Sequence, residues 1–231
     1  MIHMAAVTHT NDEGLYYKVN TDGTKLLIDL ARQYEIKRFI FVSTRAIGKE
    51  GGVYSNSKRL AEEIVKNSGL AWTIVSPSEI YGIYEEESIN RLIKNIERMP
   101  VIPVIGQGKY KIAPVYIDDI INAIIKILEN ENTVYKTYNL SGPEEMSYRN
   151  FIDKVLELKK LKKAKINIPV LFFSIIARLL AFFKVKKPFI VKDQIPRLLC
   201  KKSADITLAK KDLGYQPKTI NQIIGKKIDT Y

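Results

Sequence analysis

A chain of 231 residues with 46% apolar side chains is long enough for one large domain, or for a domain with a smaller companion, around a sizeable core. The single cysteine, Cys200, excludes an internal disulfide framework and suits a reducing cytosol; with only two histidines beside it, no metal cluster is expected. The formal charge of +12 points to nucleic acid, a membrane surface or a solvated face, depending on where the lysines fall.

In chain order, residues 2–7 read as a strand already in progress. They lack the basic region and long apolar run of a signal peptide, so the expected location is the cytoplasm. Asn20-Thr21-Asp22-Gly23-Thr24 leads into a helix over 25–34, which Asn20 is suited to cap. Arg38-Phe39-Ile40-Phe41-Val42 predicts a buried strand ending in Ser43-Thr44, and hydroxyls at the carboxyl end of a parallel strand face the crevice where ligands bind. Tyr54 and Lys58 follow at the start of a helical segment. Four residues apart, they share a helix face, and an ammonium beside a phenol lowers its pKa from about 10 toward neutrality, as acid/base work requires. An exposed face bearing one aromatic and one cation is the other reading. Ala71-Trp72-Thr73-Ile74-Val75 predicts a second buried strand, ending in Ser76-Pro77-Ser78-Glu79-Ile80-Tyr81-Gly82.

An amphipathic helix is expected over 88–99, a loop over 100–108 and a helix over 118–129. Asp118-Asp119 reads as a helix start, where aspartate caps amides and complements the dipole, in preference to a metal site. A strand and turn follow over 138–143, with Ser147 capping the next helix. Beyond about 151 the composition shifts to a lysine excess over 154–202, which divides the chain into units of 1–150 and 151–231. Residues 166–183 are apolar except for Asn167, Ser174 and Arg178. The arginine and Pro169 argue against a membrane span. Flanked by Lys163, Lys165, Lys184, Lys186 and Lys187, the segment reads either as a helix packed on its neighbours or as one lying in a membrane surface over 163–187. Nucleic acid is not expected as a partner, since the basic residues interleave with an apolar run and match no binding motif.

Phe41-Val42-Ser43-Thr44, Tyr54-x-x-x-Lys58-x-x-Ala61-Glu62 and Trp72-Thr73-Ile74-Val75-x-Pro77-x-x-x-Tyr81-Gly82 together resemble the short-chain dehydrogenase/reductase superfamily, specifically its extended and atypical members, the NAD-dependent epimerase/dehydratases. The resemblance runs from Met1 to about Gly225. It implies an α/β fold, a Rossmann-like parallel sheet with a smaller, mostly helical C-terminal substrate domain. It also implies that Thr44 hydrogen-bonds the reacting oxygen, Tyr54 is the acid/base, and Lys58 holds the nicotinamide ribose and tunes the tyrosine. Ala5 and Ala6 would back onto the cofactor, NAD or NADP, with Asn20, Ser43, Pro77 and Ile80 on the same side. The implied substrate is a small molecule such as a nucleotide-linked sugar. Residues 209–217 resemble the family's closing Leu-Gly-Tyr-x-Pro turn, which folds the C-terminus back on the substrate domain.

Three departures qualify the resemblance. No Gly-x-Gly-x-x-Gly occurs, and neither Gly51-Gly52 nor Gly106-Gln107-Gly108 follows a strand and opens a helix. The sheet's first strands and glycine-rich loop, on the order of 60 residues at ~30 per strand-helix unit, are thus expected before Met1, in a truncated reading frame or supplied by a partner. The strand over 2–7 would then offer an open apolar edge to another chain, a second copy or a different protein. The loop 45–53 is short, as in the atypical branch that includes proteins similar to the accessory subunit of respiratory complex I. Ser76 stands where the family usually carries arginine. These features support a second reading, a non-catalytic, membrane-associated accessory protein of the same fold.

Overall fold

The computed structural model describes residues 1–48, 50–82, 88–183, 191–200 and 202–224. Lys184, Lys186, Lys187 and Gly225 lie outside the described residues. β1 comprises only Ile2–His3, with Ile2 opposite Ile40 and His3 opposite Phe41 of β2, Arg38–Val42. The expected strand over 2–7 is cut short because Asn20 captures its backbone: the side-chain amide accepts from Val7 N at 2.8 Å and donates to Val7 O at 3.0 Å, replacing a strand neighbour. The open edge anticipated there is correspondingly small.

The first helix starts well before residue 25. α1, Glu13–Tyr16, is capped by Asp12, which accepts from Leu15 N at 3.3 Å. It runs through a π-helical turn, Tyr17–Asp22, into α2, Gly23–Gln33. Asn20 is therefore no cap; the wide turn carries it inward, where it is 1% exposed. Then come α3, Gly52–Lys66, and β3, Ala71–Pro77, with Arg38 opposite Ala71 and Val42 opposite Val75.

The next part of the chain contains short β4, Ile80–Tyr81, then α4, Ser88–Arg98, and β5, Val101–Ile105. β6, Lys111–Ile112, and β7, Val115–Tyr116, precede α5, Ile117–Glu129, and β8, Lys136–Leu140. The main sheet has the order β1-β2-β3-β8 with every pair parallel. Its strands alternate between two covered faces, so they read as apolar runs rather than as polar-apolar repeats. Phe39, Phe41 and Ile74 pack under α2 and α3. Ile40, Val75, Tyr138 and Leu140 pack under α5 and α9, Thr207–Leu213. The aspartates at the start of α5 lie inside its first turn, where they complement the dipole, but Asp119 also accepts from Lys218 N at 2.8 Å and so ties down the C-terminal tail.

A second core around Ile96, Val104, Phe151 and Val155 joins α4 and β5 to β9, Met146–Ser147, and α6, Tyr148–Leu158, whose cap Ser147 accepts from Asn150 N at 3.1 Å. The expected loop over 100–108 is largely strand, because β5 pairs in parallel with β10, Ala164–Ile168. That pairing also splits the apolar run 166–183. Pro169, which has no N–H to give a ladder, ends the strand and begins α7, Val170–Phe182. α7 packs through Ala177 against Ile195 of α8, Gln194–Leu199, and leaves Leu171, Phe172, Ile175, Leu179 and Phe182 exposed. Among the described residues no helix is long and apolar enough to cross a membrane. Lys163 is spent internally, with Nζ at 2.7 Å from both Ile96 O and Glu97 O, and Lys165 pairs with Asp153. Gly214, at φ +56°, ends α9, and Tyr215 then enters the core of the sheet, where its hydroxyl donates to Ser141 O at 3.1 Å. The closing turn thus docks on the main sheet rather than on the 151–183 segment. α10, Ile220–Ile224, completes the second core.

Candidate active site

α3 begins with glycines and has no capping side chain of its own. The cap comes from far along the chain: Asp193 Oδ1 accepts from Tyr54 N at 3.2 Å and also from Val53 N. Gly52, at φ +84°, permits this approach, since a Cβ there would stand 2.3 Å from Asp193 Oδ1. Tyr54 sits one residue inside this cap and is 7% exposed. Its ring meets Tyr16 edge-on at 5.9 Å, and the Arg197 guanidinium lies 4.4 Å over its face. Burial raises the phenol above its ordinary pKa; Arg197 and the Thr44 hydroxyl oppose this without overcoming it.

Lys58, one turn along α3, is 1% exposed. Its ammonium donates to Val42 O at 2.9 Å and lies 4.1 Å over Phe41, whose ring also meets His3 at 5.4 Å. Burial pulls its pKa down to about 8, against the charge of Glu62. Desolvation dominates the phenol's pKa, with Arg197 the first charge acting on it, and the Lys58 ammonium is directed to the end of β2.

The remaining expected residues sort into two groups. Ser43 lies at the carboxyl end of β2 with its Oγ buried and without a hydrogen-bond partner. Asn20 bridges Val7 to Ser57 Oγ at 3.0 Å, and Ser57 donates to Tyr54 O at 2.8 Å, so Asn20 braces the helix that carries Tyr54 and Lys58. Ala5 and Ala6 lie in the irregular segment after β1, while Pro77 ends β3 and Ile80 opens β4. The unpartnered, buried Ser43 hydroxyl, and the buried Lys58 ammonium that donates to the carbonyl of the preceding residue, fit the nicotinamide-ribose end of a dinucleotide. The pyrophosphate cradle finds no counterpart among these residues, which contain no glycine-rich strand-turn-helix.

Thr44 also lines a cavity of about 170 Å³ at the carboxyl ends of β2, β3 and β8, together with Arg45, Ser76, Thr137, Asn139 and Ser203. Arg45 is 5% exposed and reaches Glu79 at 3.5 Å and Glu145 at 3.6 Å, while Lys202 approaches Glu79 at 3.1 Å. Burial pushes the Glu79 carboxyl up, but Lys202 and Arg45 outweigh it and hold the group below its ordinary value. Sequence reasoning missed Arg45, Glu79, Asp193, Arg197 and His3. A charged residue three positions after a buried strand was the one available signal for Arg45. The others are brought in by long-range packing.

Residues 1–141 match the NAD dependent epimerase/dehydratase family. The chain is 31% identical over 180 residues to NADH dehydrogenase (ubiquinone) 1 alpha subcomplex subunit 9, mitochondrial, of Dictyostelium discoideum, covering 77% of this chain and 49% of that protein. It is 22% identical over 243 residues to UDP-glucose 4-epimerase of Vibrio cholerae, covering 94% and 71%. The fold is similar to that of UDP-glucuronic acid 4-epimerase from Bacillus cereus in complex with NAD, at a TM-score of 0.75 and 20% identity over 97% of this chain and 71% of that one. The chain thus spans about half the length of the first of these relatives.

Proposed function

The chain belongs to the NAD dependent epimerase/dehydratase family, and from that premise we propose that Thr44, Tyr54 and Lys58 serve an NAD(P)-dependent oxidoreductase or epimerase of short-chain dehydrogenase/reductase type. The observation that carries the proposal is the burial of Tyr54 and Lys58 one turn apart on α3, with Lys58 donating to Val42 O at the end of the strand that leads into Thr44, which lines a polar cavity. NAD or NADP, when bound, exchanges a hydride with the substrate carbon. Tyr54 moves the proton on the adjacent oxygen; its raised pKa keeps the phenol protonated at neutral pH, ready to donate to a carbonyl being reduced. Thr44 holds that oxygen, and Lys58 holds the ribose. The hydroxyl and amide lining of the cavity supports a small polar substrate, such as the sugar of a nucleotide-linked sugar. In this reading 1–150 binds cofactor and 151–231 contributes the substrate side. Tyr54→Phe keeps the ring and removes the proton, so turnover with NADH or NADPH should vanish while the fold remains. Wild-type turnover in that variant would sink the assignment.

A second reading is favoured by the exposed apolar face of α7. In it the chain is a membrane-docked accessory protein in which the same residues are inherited architecture, and its partner is a membrane or a membrane complex. The similarity to the mitochondrial subunit supports it.

A further inference from the structure

We propose that Arg45 is the anion-binding residue of the Thr44 cavity and that the substrate brings a carboxylate to it, as a sugar acid does. The inference rests on the cavity being the substrate site, as read above, and names the class of substrate. Arg45 follows Thr44 directly and both line the cavity, so the group that holds the reacting oxygen and the group that holds the charge serve one small molecule. The Arg45 side chain is 2% exposed. Among the described residues its Nε and Nη1 have no hydrogen-bond partner, while Nη2 donates to Lys111 O at 3.3 Å. Its two carboxylate neighbours stand off. Glu79 is 3.5 Å from Nη2 and Glu145 is 3.6 Å from Nη1, whereas a charge-assisted hydrogen bond closes to about 2.7–2.9 Å. A buried guanidinium with two unused donors is costly until a further acceptor reaches it.

The charges around the guanidinium leave a place for one more anion. Glu62, which also lines the cavity, acts on Lys58 and pairs with Lys66 at 3.4 Å, so its charge is already answered. Glu79, with 18% of its side chain exposed, is shared between Arg45 and Lys202, whose own side chain is 7% exposed. Among the described residues two buried cations therefore face one largely buried carboxylate, an excess of one positive charge. Glu145 meets that excess from the rim, and its 36% exposed side chain can turn out to water at little cost. It is an internal stand-in for the carboxylate of a ligand. An excess of one charge suits a carboxylate better than a phosphate dianion, and a cavity of about 170 Å³ limits the ligand to a small one.

The test follows the Nε resonance of Arg45 in the full chain labelled with 15N-arginine, identified by its loss in Arg45→Lys. Sodium acetate, titrated against sodium chloride at constant ionic strength, should move the resonance saturably. Glucuronate should do so at lower concentration, and glucose should leave it in place. Glu145→Gln removes the internal competitor and should tighten acetate binding by about 3- to 10-fold, since the competent fraction of the site rises. Arg45→Met should abolish binding, followed for glucuronate by saturation-transfer NMR. If that variant does not fold, Arg45→Lys, which keeps the charge but loses the planar fork, should weaken binding about 10-fold. An unsaturable response to acetate, equal responses to glucose and glucuronate, tighter binding of inorganic phosphate than of acetate, or an unchanged affinity in Glu145→Gln overturns the proposal. Binding requires neither cofactor nor proton transfer, so Tyr54→Phe should bind glucuronate like the wild type. Turnover surviving in that variant would refute the acid/base role and leave the anion site standing, and loss of the anion site would leave the acid/base role standing.

Discussion

The contact between Asp193 and the start of α3 can be measured by placing a single methyl group in it. Gly52→Ala puts a Cβ at 2.3 Å from Asp193 Oδ1 and 3.3 Å from Pro196 Cβ, and asks an L-residue to hold φ +84°. The backbone term costs about 1–2 kcal/mol. Displacing the carboxylate that caps Val53 and Tyr54 costs about 1 kcal/mol more, for a total of about 2–3 kcal/mol. In an Asp193→Ala background the cap is already gone, so Gly52→Ala should cost only its backbone term. The coupling in the double-mutant cycle should then be about 1 kcal/mol, read from urea unfolding midpoints at unchanged slope. Equal costs of Gly52→Ala in both backgrounds would refute the idea that Asp193 caps α3.

Other consequences can be checked independently. Burial, with the charge of Lys58, holds His3 down to about 4 against an ordinary 6.5, so the folded state keeps it neutral where the unfolded chain takes a proton. Stability should be full above pH 6.5 and fall as pH drops toward 4, by about 2–3 kcal/mol, and His3→Gln should flatten that limb of the unfolding curve. Phe151 is fully buried in the second core, and Phe151→Ala should cost about 3–5 kcal/mol in urea unfolding; a loss under about 1 kcal/mol would mean that this core is not packed as described. If α7 docks on a membrane, the protein should sediment with anionic vesicles at moderate salt, and Phe172→Asp should weaken that about 10- to 100-fold with little change in stability; absence of sedimentation in the wild type favours the enzyme reading.

Much of the fold was legible where local pattern and burial agree. The apolar run of β2 was predicted to its observed bounds, and α3, β3, α5 and the Ser147 cap follow from period and capping chemistry. Parts that depend on distant partners were not. β1 is short because of a side chain on the following helix, and the run 166–183 breaks because β5 offers Ile166 a neighbour. The candidate site divides in the same way. Thr44, Tyr54 and Lys58 are close in sequence and carry a motif, whereas Asp193 lies 139 residues from the amide it caps, and no spacing rule links them. The acceptor of Lys58 was not legible for a related reason: i,i+4 geometry places two side chains on one face, but does not say which acceptor a long lysine will choose.

The π-helical turn before α2 has an effect on inheritance. Successive residues of a regular helix are about 100° apart, so the extra residue in a wide turn rotates everything ahead of it by roughly that angle. Tyr16, whose ring lies against Tyr54, stands immediately ahead of the turn. Deleting one residue within 17–22 would make the helix more regular and swing Tyr16 off the tyrosine, whereas substitutions at those positions leave the phase intact. This wall of the site is written as a number of residues rather than as their kinds, so across relatives its loss would show as a gap in the aligned chain and not as a changed letter.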